Sequence, residues 1–282
     1  FININIVLYG SGKIPLLIVN GDPDREPLKG ETDFLEIALQ PFHEGGAEEL
    51  EDLLETRVVT VADFNTAAIG QAPVVVLANV SKLQSGQLND LQAFVKDGGG
   101  LLIFGGDQLD QRWYNNFLLP YHLLPARLGQ LGDKRQDPEP FTRIVVQRFD
   151  NPALDIFSNP RNGDLASAEI RQWHRTFENP DDDMVRTLAR LETGDAFLVE
   201  KQYGTGRVVF CATSCDDAWS SLPLREVFLP FVQRLCTYLA SSVMPPRNLG
   251  VGEEFIAHFP VAQAGSEATV TDAGGEKHSV RI

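Results

Sequence analysis

Short unbroken apolar runs, each closed by Gly, Asn or Asp, alternate along this chain with stretches in which apolar residues recur every three or four positions. Runs of the first kind fit strands buried on both faces, and the second kind fits amphipathic helices. Their alternation predicts an α/β fold with a mostly parallel sheet. "IPLLIV" (Ile14 to Val19) is the first predicted strand, with Asn20 to Asp24 as the loop at its carboxyl end. A short helix follows, capped by Thr32 or Asp33, with Phe34, Leu35 and Ala38 on one face, and Pro41 ends it. Thr56 to Val61 and Ala72 to Val80 are the next predicted strands. Ser85 caps a helix in which Leu88, Leu91, Phe94 and Val95 fall at helical spacing, Gly98 to Gly100 stop it, and Leu101 to Phe104 form another strand.

From Asp110 to about Arg143 the pattern weakens and predicts a short helix and then a loop. Beyond it, Arg143 to Phe149, Val185 to Glu192, Ala196 to Gly204 and Gly206 to Ser214 have β character, the last two joined by a "YGTG" turn that suits an antiparallel hairpin. Leu222 to Ser242 is strongly amphipathic, with Val227, Phe228, Phe231, Val232, Leu235 and Leu239 along one stripe and Pro230 expected to bend the helix. "VMPPRNLGVGEEF" has the composition of a linker. Phe255 to Phe259, Ala268 to Thr271 and Ser279 to Ile282 then suggest strands of a small β-rich segment. The expected organisation is therefore a leader or the end of a preceding domain at 1–13, an α/β domain at 14–247 and the start of a β-rich domain at 248–282.

Charge narrows the range of partners. A net charge of −15 over 282 residues argues against nucleic acid, which is bound through clustered Lys and Arg. The three cysteines, Cys211, Cys215 and Cys236, lack the spacing of a zinc site. No apolar run is long enough to span a membrane, so any membrane attachment is expected through regions outside this chain. The start at Phe1 and the stop inside a β-like stretch read as a piece of a longer protein.

Ligands of open α/β sheets bind beyond the carboxyl ends of the strands, and here those ends offer mostly carboxylates. Asp22 and Asp24 follow the first strand, Gly105, Gly106 and Asp107 follow "LLIF", and Ser214, Cys215, Asp216 and Asp217 follow "VVFCAT". Asp22, Asp107 and Asp216 are candidates for a hard cation such as Mg²⁺, which takes oxygen ligands, and helix or turn capping is the competing role. Cys215 is the best placed thiol, but Asp216 and Asp217 beside it disfavour the reactive thiolate, while Cys211 and Cys236 fall on core positions. His174 reads as a half-exposed structural residue, and the aromatics Trp113, Tyr114, Trp173 and Trp219 raise a carbohydrate surface as a third possibility. No motif for a phosphate loop, dinucleotide site or nucleophile elbow is present, and no cofactor is expected.

"LANVSKLQSGQLNDLQAFVKDGGGLLIFGGDQLD" and "GRVVFCATSCDDAWSSLPLREVFLPFVQRLCTYLA" resemble the class I glutamine amidotransferase-like fold, and within it a non-enzymatic branch found in large bacterial membrane proteins of the BatA-like type that also carry a von Willebrand factor A domain. "LLIVNGDPDREPLKGETDFLEIAL" looks like the opening of that module, and the resemblance covers roughly residues 14–250. It implies a three-layer αβα, flavodoxin-like architecture. Active members would carry a cysteine in the turn after "LLIF", where this chain has Gly105, Gly106 and Asp107, and a His-x-Glu after the late strand, where it has Ser214 to Asp217. The expectation is a non-catalytic interaction or structural module with protein partners, held at the cell membrane and outside the cytoplasm in the full-length protein. Its rival is a hydrolase or ligand-binding enzyme that uses the carboxylate-lined crevice.

Overall fold

The computed structural model describes residues 13–42, 52–70 and 72–241, together with the backbone of 267–271 and 277–281. Its centre is an eight-stranded sheet in the order β2-β1-β3-β4-β10-β9-β8-β6. The strands are β1 (Ile14–Asn20), β2 (Leu54–Thr60), β3 (Val74–Ala78), β4 (Gly100–Phe104), β6 (Ile144–Val145), β8 (Val185–Leu191), β9 (Ala196–Tyr203) and β10 (Gly206–Cys211). Pairing is parallel from β2 through β10, and antiparallel where β10 meets β9, β9 meets β8 and β8 meets β6. Every residue of β3 and β4 is buried, which is why their sequences show no polar alternation. β2, at the sheet edge, is fully buried only at Leu54, and exposed residues alternate with half-buried ones along much of it.

From β1 the chain first adds β2 on one side and then β3 and β4 on the other. Between β1 and β3 the order reverses, and at such a reversal the connecting loops diverge and leave a crevice outside the carboxyl ends. The helices are α1 (Asp33–Leu39), α2 (Thr66–Ile69), α3 (Ser85–Lys96), α4 (Gln111–Trp113) and α5 (Phe228–Ala240). α5 packs on α1 and β4, and buries Phe228, Phe231, Val232, Leu235 and Leu239 of the predicted stripe.

Several local expectations are corrected. Gln84, not Ser85, caps α3: its backbone N–H donates to the Gln87 side chain at 2.7 Å, and Gln87 also donates to the Val61 and Phe64 carbonyls at 2.8 Å. Thr32 precedes α1, but its hydroxyl donates to Glu36 at 2.7 Å and leaves the helix end uncapped. Pro230 is the third residue of α5, where its missing N–H would have had no acceptor within the helix, so it starts the helix and does not bend it.

The predicted loop before Arg143 contains a strand, β5 (Arg127–Asp133), paired antiparallel with β7 (Gln172–Phe177) in a separate two-stranded sheet. Its glycines, which read as loop, make room for aromatic rings: a Cβ on Gly129 would lie 2.5 Å from Phe177, and one on Gly132 would lie 2.1 Å from Trp173. The predicted strand Arg143 to Phe149 keeps only Ile144 and Val145, because of its residues only Ile144 is fully buried and no apolar face holds the rest in register. β11 (Glu267–Thr271) and β12 (Lys277–Arg281) form an antiparallel pair, while the expected strand Phe255 to Phe259 and the whole linker lie outside the described residues. Among the described residues no helix is long and apolar enough to cross a membrane.

Candidate functional site

Four strands deliver their loops to one place at the reversal of strand order. β1 exits through Asn20 and Gly21, β3 through Asn79, β4 through Gly105 and Gly106, and β10 leads on to Ser214 and Cys215. The loops are in backbone contact: a Cβ on Gly21 would lie 2.1 Å from the Asn79 carbonyl oxygen, and one on Gly106 2.1 Å from Asn79 Oδ1. Asn79 has φ +50°, a left-handed conformation that asparagine tolerates better than most residues. Its Nδ2 donates to Glu31 at 3.0 Å and to Asp107 at 2.9 Å, while its Oδ1 accepts from the Gln108 N–H at 2.9 Å. One amide thus ties β1's following loop, β3 and β4 together.

Glu31 is the second hub. It is 2% exposed, and its carboxylate accepts the Cys215 N–H at 2.8 Å. The Cys215 Sγ is 3.2 Å from both the Glu31 carboxylate and the Glu31 carbonyl oxygen. Burial, reinforced by the nearby Asp216 charge, pushes the Glu31 carboxyl up to about 8, against the pull of the Cys215 and Asn79 hydrogen bonds. Burial and then the Glu31 charge push the Cys215 thiol well above its ordinary value, so the nucleophilic thiolate is suppressed. Cys211 and Cys236 are also buried and free, each pushed up to about 12 by burial.

Around these hubs the predicted carboxylates occupy the rim. Asp22 is raised by burial and then by the charges of Asp107, Asp216 and Asp24, in that order, so these side chains share one electrostatic field. Asp216 is partly committed to its own turn, accepting from Ser214 Oγ at 2.6 Å and the Ala218 N–H at 3.1 Å. Asp24 likewise accepts the Glu26 N–H at 2.8 Å. Asp217 is exposed and holds Arg171 through its backbone carbonyl at 2.8 Å. Among the described residues no group of three or more His, Cys, Asp or Glu side chains is arranged to hold a metal ion.

His174 on β7 is 3% exposed, not half-exposed, because the glycine turn after β4 closes over it. A Cβ on Gly105 would lie 2.6 Å from its Cδ2. Its Nε2 is 3.0 Å from the Gly106 carbonyl oxygen, and its Nδ1 is buried without a partner among the described residues. Burial holds the ring down to about 4, so it is neutral at pH 7. Tyr114, Trp173 and Trp219 are buried at 0%, 1% and 5% exposure, which leaves no aromatic platform among them for a sugar.

Sequence reasoning missed Asn79, Glu31 and the depth of His174. Asn79 carried a usable signal, an amide at the exit of an all-apolar strand. Glu31 carried none, since its bond to Cys215 spans 184 residues.

No protein-family model matches the chain, and no curated protein sequence matches it. Solved structures do. Two cytoplasmic proteins from Salmonella typhimurium each give a TM-score of 0.59 over 80% of this chain, at 13% and 14% identity, and are covered over 98% and 99% of their own length. A ThuA-like protein from Bacteroides uniformis gives 0.53 at 11% identity, over 83% of this chain and 94% of that one. A β-galactosidase from Bacillus circulans gives 0.50 at 13% identity and covers 96% of this chain, which spans 40% of the enzyme. At these identities the likeness is one of fold, and the ThuA-like neighbour is consistent with an amidotransferase-like fold.

Proposed function

We propose that the domain is a non-catalytic interaction or structural module of the amidotransferase-like type. Its three-layer arrangement is supported by handedness: right-handed crossovers that add β2 on one side of β1 and β4 on the other side of β3 call for α1 and α3 on opposite faces. The observation that carries the functional reading is the turn after β4, where Gly105, Gly106 and Asp107 supply no thiol, while the nearby thiol of Cys215 is sealed against Glu31. Acyl transfer through a thioester then has no starting sulfur in that turn. By the resemblance of the quoted stretches, the proposal extends to placement in a BatA-like, von Willebrand factor A-associated bacterial membrane protein, with this domain outside the cytoplasm and working through protein contacts. The purified domain is expected to release no ammonia from glutamine and no alcohol from a simple ester. Turnover abolished by Cys215→Ala would overturn the reading.

The rival reading, an enzyme working in the carboxylate crevice, draws on the shared field of Asp22, Asp107 and Asp216. It predicts that Mg²⁺, Mn²⁺ or Ca²⁺ raises the melting temperature of the wild type well above that of Asp107→Asn, because a ligand bound only to the native state stabilises it. Equal melting curves with and without metal would leave these carboxylates as turn and rim groups.

A further inference from the structure

At the amino end of β10, the opposite end of that strand from the acidic crevice, a cleft of about 1390 Å³ opens between β8 and the last turns of α5. Its lining carries Arg148, Arg186, Arg190, Arg207 and Arg234 against two carboxylates, on a chain whose net charge is −15. Four of these guanidinium groups have a carboxylate partner, Arg148 with Asp150, Arg190 with Glu178, Arg207 with Glu200 and Arg234 with Asp155, so the excess positive charge of the concavity is that of Arg186.

These arginines differ in how far the protein itself occupies them. Arg190 is committed to Glu178 at 2.9 Å and to the Gly194 carbonyl at 3.1 Å. The Arg186 guanidinium has no hydrogen bond or ion pair among the described residues, its backbone pairing with β9 aside. Arg207 lies over the Tyr238 ring, its Cζ 4.7 Å from the centroid, and sits 3.8 Å from Glu200 through Nε, too far for a hydrogen bond. Glu200 is buried and held by the Tyr238 hydroxyl at 2.5 Å and by Asn151 at 3.4 Å, so the floor under Arg207 is fixed. Arg234 donates to the Pro152 carbonyl at 2.8 Å and pairs with Asp155, while its Nε is buried without a partner among the described residues. Three guanidinium groups thus retain donor capacity at one concave surface. Guanidinium forks match carboxylate and phosphate oxygens, and they gain most where the site is concave and partly desolvated. Ligand cavities run to roughly 300–1,000 Å³, so there is room here for a molecule with several anionic groups.

We propose that this cleft binds a small, multiply charged anion, a phosphorylated or polycarboxylated compound, through Arg186, Arg207 and Arg234. The site is separate from the crevice and does not depend on whether the module is catalytic.

Isothermal titration at low salt, with tripolyphosphate and with citrate as probes, tests it and separates phosphate from carboxylate chemistry. Saturable binding of either probe is expected, weakened about tenfold or more by Arg186→Ala and by Arg207→Ala and by raised salt, and unchanged by Asp107→Asn at the other end of the sheet. Arg186 is exposed, so its truncation leaves packing intact even if the loss of Arg207 from the Tyr238 ring does not. Absence of saturable binding by both probes, or equal affinity in wild type and Arg186→Ala, would overturn the proposal. Tighter binding of hexaglutamate than of either probe would also overturn it, by assigning the cleft to an acidic polypeptide.

Discussion

Gly21 and Gly106 show how little space the crevice leaves for change at single positions. A methyl group on Gly21 would meet a backbone oxygen, which cannot rotate away, at 2.1 Å. Gly21→Ala therefore has to move the exit of β1 or β3, and a loss of about 2 kcal/mol or more is expected. Urea unfolding of the variant checks this, and an unchanged midpoint would mean that the two loops are not held in contact. Gly106→Ala meets the Asn79 side chain instead, and that amide can only swing by releasing Glu31, Asp107 and Gln108. The same tightness protects the thiols. All three cysteines are expected to resist a thiol reagent at pH 8 in the native protein and to react on unfolding; rapid labelling of Cys215 in the native state would show that Glu31 does not seal it. At this scale the sequence displayed the rim, Asp22, Asp107 and Asp216, because acidic residues at strand exits stand out. The hubs stayed hidden, since an amide and a carboxylate become partners only when distant segments meet.

Elements whose burial is uniform were the readable ones. β1, β3 and β4 announce themselves as continuous apolar runs because both faces are covered, and α5 does so because its apolar stripe faces the core. β5 failed the same reading because "RLGQLGD" pairs outside the main sheet and uses glycine to admit partner rings, a role indistinguishable from a turn without the partner strand. The segment after Asp110 had a further layer that periodicity does not register: α4 runs into a π-helical turn at Tyr114–Leu118. Its anchor is Tyr114, fully buried, whose hydroxyl donates to the Val80 carbonyl at 2.7 Å just beyond β3. Tyr114→Phe keeps the ring and strands that carbonyl, so a loss of about 1–2 kcal/mol is expected with the fold intact. A variant as stable as the wild type would mean that the turn is held by packing alone and that the bond to β3's exit is incidental.

For the whole molecule His174 and Glu31, two of the buried titratable groups of the crevice, set opposing dependences on pH. His174 is held down to about 4 by burial against an ordinary value of 6.5, so the unfolded chain takes up its proton first as pH falls. Its contribution is fully present above pH 6.5 and is lost as pH drops toward 4. Glu31 is pushed up to about 8 against an ordinary 4.5, so between those values the folded protein holds a proton that the unfolded chain has released. Its effect is a decline in stability as pH rises from 4.5 to 8. The two oppose each other between pH 4.5 and 6.5, and above 6.5 only the Glu31 decline is left from this pair. Urea unfolding is therefore expected to show stability falling by up to about 2 kcal/mol between pH 6.5 and 8, the most that one retained proton allows over that interval. Glu31→Gln, which stays neutral throughout, flattens that decline whatever its effect on absolute stability. If the slope between pH 6.5 and 8 is the same in Glu31→Gln as in the wild type, Glu31 is ionised in the folded protein. The seal on Cys215 would then be a charged one, and the crevice would carry a buried negative charge beneath its acidic rim.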